Sequence, residues 1–305
     1  IIVVEADEFD RSFLALKPTI GIITNIELEH TDRYEDLEDL QNAFIQFCQS
    51  VPFYGEIIIC LDSPSVQEIL PKIERPMTTY GQSRDAAYRA KNLRFDENIS
   101  TYTVFRAEEN LGDIRLQVPG EHNVLNSLAA VVLGLELGLS FKIIQEGIAT
   151  YQGVRRRFDI KGIYNDIMIV DDYAHHPTEV EATLQATKAG WSRRVIAVFQ
   201  PHLFTRTQTF FREFAQALQL ADVVIITEIY PAREKAIPGV TAHLIFDECV
   251  KKMNSNCYFV PDLEDLNKNL DEIVKPNDLV ITLGAGSIWR YNESYTAHLS
   301  NEISV

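Results

Sequence analysis

From Gly153 onward, short runs of purely apolar residues alternate with amphipathic stretches in a steady rhythm. Strand-like segments at 167–170, 195–199, 223–226, 257–260 and 279–283 are separated by helical patterns at 177–189, 204–219, 240–252, 262–273 and 287–298. Runs such as Ile167-Met168-Ile169-Val170 show no polar alternation, so both faces of each strand must be covered. Parallel strands need a helical crossover between them, and the spacing supplies one each time. The pattern predicts an α/β fold with a Rossmann-like, mostly parallel sheet. Such sheets bind ligands at the carboxyl ends of their strands.

Residues 1–152 have a different texture. Apolar runs at 1–4, 20–23 and 57–60 alternate with helical patterns at 36–50 and 63–71. A strand-rich patch over 76–118 follows, alternating in TYTVF (101–105) and DIRLQV (113–118). Gly120 then precedes a helix from about 123 to 138, and a second helix runs to about 150. The boundary falls near 150–155, at YQGVRRRFD, which divides the chain into 1–152 and 153–305. The chain opens on IIVVE without a Met, in what reads as a buried strand, so more chain is expected before it.

The net charge of −16 argues against a nucleic-acid partner, because a polyanion needs a concentrated positive surface. The longest apolar runs have strand length, well short of the roughly 20 residues of a bilayer span, and no signal peptide stands out. Cys48, Cys60, Cys249 and Cys257 have no CxxC spacing and sit in apolar contexts, which reads as packing thiols of a cytoplasmic protein.

Polar residues gather where the apolar runs stop. In DDYAHHPTEV (171–180), two of the chain's seven histidines follow two aspartates, and Pro177 opens a helix. VFQPHLFTRT (198–207) ends the next strand on His202, with Arg206 in the helix that follows, and EIYPAREKAIPGV (228–240) offers Arg233 from a proline-bounded loop. One such histidine is ordinarily structural. Consecutive strands that bring His175 or His176 and His202 to one edge argue for a shared site.

Arg155, Arg156 and Arg157 suit phosphate oxygens, but neighbouring side chains alternate sides, so one or two should be structural. In VPGEHNVLNSLAA (118–130), Asn123 is placed to cap a helix, and Asn126, one turn on, to face a ligand beside His122. VVEADEFD (3–10) and TNIELEHTDRY (24–34) end apolar runs in acids and His30. Acids at strand ends are usually solvated, although Glu5 and His30 on adjacent strands are able to share a divalent cation. LGAGSI (283–288) resembles a dinucleotide loop, but Trp289 stands where the third glycine belongs, and close helix-strand packing explains it. No GxxxxGK[ST] phosphate loop, GxSxG elbow or HExxH occurs.

Together and in order, EADE, TNIE-x-EH-x-D, PFYG, PG-x-HN-x-x-N-x-x-AA, RRFD, DDYAHHPTEV, FQPH-x-x-TRT, YPARE-x-x-IPGV and LGAGSI resemble the Mur ligases. The resemblance runs along essentially the whole chain, and DDYAHHPTEV with the FQPH and YPARE pair is its specific part. It implies the remainder of a central ATPase domain over 1–152, followed by the C-terminal domain over 153–305. A UDP-binding domain and the phosphate loop would precede them, so the 305 residues alone are expected not to turn over ATP. The implied activity is ATP-dependent addition of L-alanine to UDP-N-acetylmuramate through an acyl phosphate, in peptidoglycan precursor synthesis in the cytoplasm.

The resemblance also assigns residues. Glu5 and His30 match the Mg²⁺ ligands, although imidazole is not the donor a hard cation prefers. Asn126, with His122 and Asn123 beside it, matches the adenine contact, and Arg157 and Asp172 match nucleotide-binding residues of the C-terminal domain. Tyr173, His175, His202 and Arg206 would surround the reacting carboxylate and the incoming amino acid. Two departures stand out. Many relatives carry Arg where this chain has Leu203, and sister ligases carry a carbamylated Lys where Glu35 to Pro71 contains no Lys, which fits the alanine-adding branch. The alternatives are a ligase that attaches a recycled peptide, a non-catalytic nucleotide-binding module, and a dehydrogenase built on LGAGSI, which Trp289 disfavours.

Overall fold

The computed structural model describes residues 1–28, 33–253 and 256–302, without the side chains of 301 and 302. The chain forms two compact units, residues 1–94, 100–116 and 121–151 in one and 95–99, 117–120 and 152–305 in the other.

The first unit is built on a sheet in the order β1-β2-β3-β4-β5-β6, with β1 Ile20–Ile23, β2 Glu56–Cys60, β3 Met77–Gly81, β4 Tyr88–Asp96, β5 Ile99–Arg106 and β6 Glu109–Leu116. Strands β1 to β4 pair in parallel and β5 with β6 antiparallel. Helix α1 (Leu37–Ser50) starts where the Asp36 carboxylate accepts from Asp39 N, an N-cap that satisfies an orphan donor. Its apolar face packs with Ile23, Ile57 and Ile59. Helix α2 (Pro64–Ile69) joins that layer, while α3 (Glu121–Glu136) lies on β2 and β3 and packs against α4 (Phe141–Ala149).

Ile1 to Val4 are not a buried strand. They belong to no strand or helix and are 60–99% exposed. A strand exists only through a ladder partner, and among the described residues the free side of β1 offers this run none.

The second unit has the order β11-β10-β9-β12-β8-β7: β7 Asp159–Tyr164, β8 Ile167–Asp172, β9 Arg194–Phe199, β10 Val223–Thr227, β11 Cys257–Val260 and β12 Asp278–Leu283. All pairs are parallel except β7 with β8. Helices α5 (Pro177–Gly190), α6 (Phe204–Leu218) and α7 (His243–Met253) cover one face, and α8 (Leu266–Ile273) and α9 (Ile288–Glu302) the other. Every residue of β8, β10 and β12 is buried, which explains their unbroken apolar runs.

Strand β12 enters between β8 and β9, so the last strand in the chain lies inside the sheet. Its following loop is tightly packed. A Cβ on Gly286 would sit 2.4 Å from Gln200 Oε1 and 2.6 Å from Tyr230 Cγ, and Gln200 Oε1 accepts from Ile288 N at 3.0 Å. LGAGSI thus serves close packing, as its sequence suggests. The four cysteines are buried free thiols.

Candidate active site

At the carboxyl end of β8 the chain must turn sharply. Asp172 holds that turn, with Oδ1 accepting from Ala174 N at 2.8 Å and Oδ2 from Phe158 N at 2.8 Å and Thr183 Oγ1 at 3.3 Å. Burial pushes its carboxyl up to about 6 against these hydrogen bonds, which favour the ionised form. The side chain is therefore turned inward, fastening the 156–158 segment to the start of the β8–α5 loop.

Tyr173 and His175 face the other way. Tyr173 N donates to Arg156 O at 2.7 Å, and its ring carries the guanidinium groups of Arg156 and Arg157 at 4.7 and 5.6 Å. His175 meets Tyr173 edge-on at 5.1 Å. His175 Nδ1 lies 3.0 Å from Tyr173 O and 3.1 Å from Glu179 Oε2. Both neighbours only accept, so Nδ1 carries the proton, and Nε2 of a neutral ring holds the lone pair. His176 takes a different course: it precedes Pro177 at the α5 N-terminus and packs its buried ring on Phe210 at 5.0 Å.

Glu179 organises this turn. Its Oε2 accepts from His175 N at 2.9 Å and His176 N at 3.2 Å, while Oε1 accepts from Arg157 at 3.0 Å. Burial raises its carboxyl, but His175 and then Arg157 outweigh that and hold it well below the usual range.

The next strand delivers His202, whose ring lies 6.0 Å from that of His175 and stacks on Tyr230 at 5.7 Å. Arg206, one helical turn on and buried, points Nη1 at His202 Nδ1, 3.4 Å away. That nitrogen must accept, which leaves the proton of a neutral ring on Nε2. Burial, then Arg206 and His175, push His202 down to about 4. Tyr173, His175, His202 and Arg206 are thus brought together, and Tyr230 and Glu179, to which the sequence alone assigns no role, belong with them.

The arginine run divides at a tight turn, in which Arg157 N donates to Val154 O and Arg156 has φ +60°, and not by the alternation of an extended segment. Arg156 is structural: Nε donates to the fully buried Asp171 at 3.1 Å and Nη2 to Gly284 O at 2.7 Å. Arg155 is exposed, and Arg157 keeps its side chain 53% exposed while paired with Glu179.

In the first unit, His122, Asn123 and Asn126 are residues two, three and six of α3, and Gly120 before it has φ +98°. The helix starts earlier than expected, so Asn123 lies inside the first turn and is not its cap. Glu5 is exposed outside any helix or strand, a carboxylate suited to a hard cation. His30 lies outside the described residues, among which no group of three or more His, Cys, Asp or Glu gathers to hold a metal. The Glu5 segment is tethered, since Tyr34 Oη donates to Glu8 O at 2.6 Å and Arg11 pairs with Asp39.

Residues 1–134 match the family described as Mur ligase middle domain, and residues 156–286 that described as Mur ligase, glutamate ligase domain. The chain is 47% identical over 303 residues to the UDP-N-acetylmuramate-L-alanine ligase of Salinibacter ruber, covering 99% of this chain and 64% of that protein. The solved UDP-N-acetylmuramate-alanine ligase of Thermotoga maritima superposes with a TM-score of 0.80 at 26% identity, over 97% of this chain and 63% of that one. A murein peptide ligase from Psychrobacter arcticus gives 0.65 at 22%, covering 94% and 59%, a likeness that bears on fold alone. The chain therefore spans slightly less than two thirds of the length of these relatives.

Proposed function

This chain belongs to the Mur ligase family, with that family's middle and C-terminal domains, and we propose that its complete protein joins L-alanine to UDP-N-acetylmuramate at the expense of ATP. Residues 1–152 would be the ATP-binding domain and 153–305 the C-terminal one. The carrying observation is the Tyr173, His175, His202 and Arg206 cluster at the carboxyl edge of β8 and β9. It is chemistry suited to an amino acid: one imidazole whose proton sits on Nδ1, one kept neutral, and a buried guanidinium.

ATP supplies the phosphoryl group that makes the muramoyl carboxylate reactive, as an acyl phosphate. The amino acid enters as an ammonium and must lose a proton before its nitrogen can attack. His175 Nε2 is the acceptor, oriented by Tyr173 O and Glu179, and general-base help of this kind is worth about 10²–10⁴ in rate. Arg206 pairs with the substrate carboxylate. Arg157, with its exposed guanidinium, meets phosphate oxygens, and Asp172 acts at one remove by holding the segment that carries it. His122, Asn123 and Asn126 on α3 are assigned to the adenine. Glu5 and His30 would hold Mg²⁺, which neutralises phosphate charge when bound.

A cytoplasmic setting suits the free thiols and these substrates, and no helix among the described residues is long and apolar enough to cross a membrane. The identity to an alanine ligase favours this reading over a recycled-peptide ligase. To test it, the complete protein is given UDP-N-acetylmuramate, ATP and single amino acids, and phosphate release is followed. Release with L-alanine above all others is expected, and none with any amino acid overturns the reading.

A further inference from the structure

Helix α6 begins in an unusual way. Its N-cap is Leu203, held at φ +71° and ψ +137°, a backbone region that non-glycine residues rarely adopt. A leucine has no side-chain oxygen to accept from the orphan N–H groups of the first turn. The oxygen comes from another loop. Glu234 Oε2 accepts from Thr205 N at 3.1 Å, and Glu234 Oε1 accepts from Thr205 Oγ1. The same two loops are joined by Tyr230 N to Pro201 O at 2.8 Å and Leu203 N to Tyr230 O at 3.0 Å, in addition to the stack of His202 on Tyr230. Segments 201–206 and 230–234 are therefore one cross-braced piece.

That brace fixes the turn containing Arg233. Glu234 N donates to Pro231 O at 2.8 Å, closing a tight turn in which Ala232 has φ +48° and Arg233 is exposed. Arg233 also adds positive potential at His202, beside the larger contribution of Arg206. Arg206 thus lies on α6 and Arg233 on the loop that is braced to its start.

We propose that Arg233 is a binding residue for the carboxylate of the incoming amino acid, sharing it with Arg206, and that Glu234 is the positioning residue that sets this pair by capping α6 from the neighbouring loop. The inference rests on the ligase reading above. Two guanidinium groups suit a carboxylate because each offers charge-assisted hydrogen bonds in a fixed fork.

The test uses the complete enzyme with ATP and UDP-N-acetylmuramate, comparing L-alanine with L-alaninamide, which has the amine and no carboxylate. Arg233→Ala should raise KM for L-alanine about 10-fold or more, as the loss of a charged hydrogen bond does, and leave KM for ATP at the wild-type value. The preference for L-alanine over the amide should fall by a similar factor. Glu234→Ala and Thr205→Ala should raise the same KM, whereas Glu234→Gln and Thr205→Ser, which keep the cap's acceptor and hydroxyl, should restore it. Wild-type product formation with an unchanged KM for L-alanine in Arg233→Ala overturns the inference and leaves the ligase reading standing. A wild-type enzyme that releases no phosphate with L-alanine overturns both.

Discussion

The rings of His175 and His202 meet edge-on with centroids 6.0 Å apart, although one follows β8 and the other β9, and their environments are opposite. His175 is flanked by two acceptors, Tyr173 O and the Glu179 carboxylate, and His202 by the Arg206 guanidinium. Two chemically identical side chains thereby carry their protons on different ring nitrogens, Nδ1 in a neutral His175 and Nε2 in a neutral His202.

His202 should titrate near pH 4. An unfolded histidine titrates near 6.5, so between those values the unfolded chain binds a proton that the folded one refuses. Stability then rises with pH across this window: the contribution of His202 is complete above about 6.5 and is lost as pH falls through about 4. Imidazole chemical shifts followed by NMR check the midpoint, and Arg206→Met should move it upward. A midpoint at or above 6 would contradict the assignment.

Asp171 and Arg156 are expected to matter for folding more than for chemistry. Asp171 is fully buried, pairs with Arg156 and accepts from Thr282 Oγ1 at 2.7 Å, and Asn292 continues the network to Val170 O. Asp171→Ala removes a buried partner and leaves a guanidinium that is only partly solvated, which should cost about 2–4 kcal/mol. Chemical denaturation measures it. A loss under about 0.5 kcal/mol, the range of ordinary surface changes, would show that the pair is not structural.

Gly286→Ala should damage the site from a distance. The added methyl would overlap Gln200 Oε1, already engaged by Ile288 N, and the root of the Tyr230 ring, which stacks on His202. Overpacking of this kind typically costs about 1–3 kcal/mol. Thermal unfolding should record the loss, and the His202 ring resonances should shift with it. Unchanged resonances would mean that the loop accommodates the methyl without moving Tyr230.

Most of this architecture is legible in the sequence because the strands of the second unit are buried on both faces, and such strands announce themselves as continuous apolar runs. Strand β7 escaped notice for the converse reason. Ile160 and Ile163 are exposed, and a bulge between Ile160 and Gly162 breaks the alternation by which a half-buried strand is recognised. Within the site, the edge to which the histidines come was readable, but the distinction between His175 and His176 was not, because it depends on Phe210 one helix away. Tyr230, Glu179 and Glu234 are not legible as functional residues, since an aromatic or acid in a loop, or an acid in the first turn of a helix, reads as solvated, and their partners are brought in by folding.

Arg156 and Arg157 should part company when each is replaced. The turn sends the first inward, to Asp171 and Gly284 O, and leaves the second outward over the Tyr173 ring, paired with Glu179. Arg156→Ala should therefore lower the unfolding midpoint, with catalysis reduced in proportion to the folded fraction. Arg157→Ala should leave that midpoint within about 0.5 kcal/mol of wild type, as exposed pairs do, while raising KM for ATP in the complete enzyme. Lys at 157 keeps the charge but not the fork, so it should restore the KM only in part. Denaturation curves and ATP titrations on the three variants decide the matter. If Arg157→Ala proved as unstable as Arg156→Ala with an unaltered KM for ATP, the run would be structural throughout, and the phosphate contact would have to come from elsewhere in the protein.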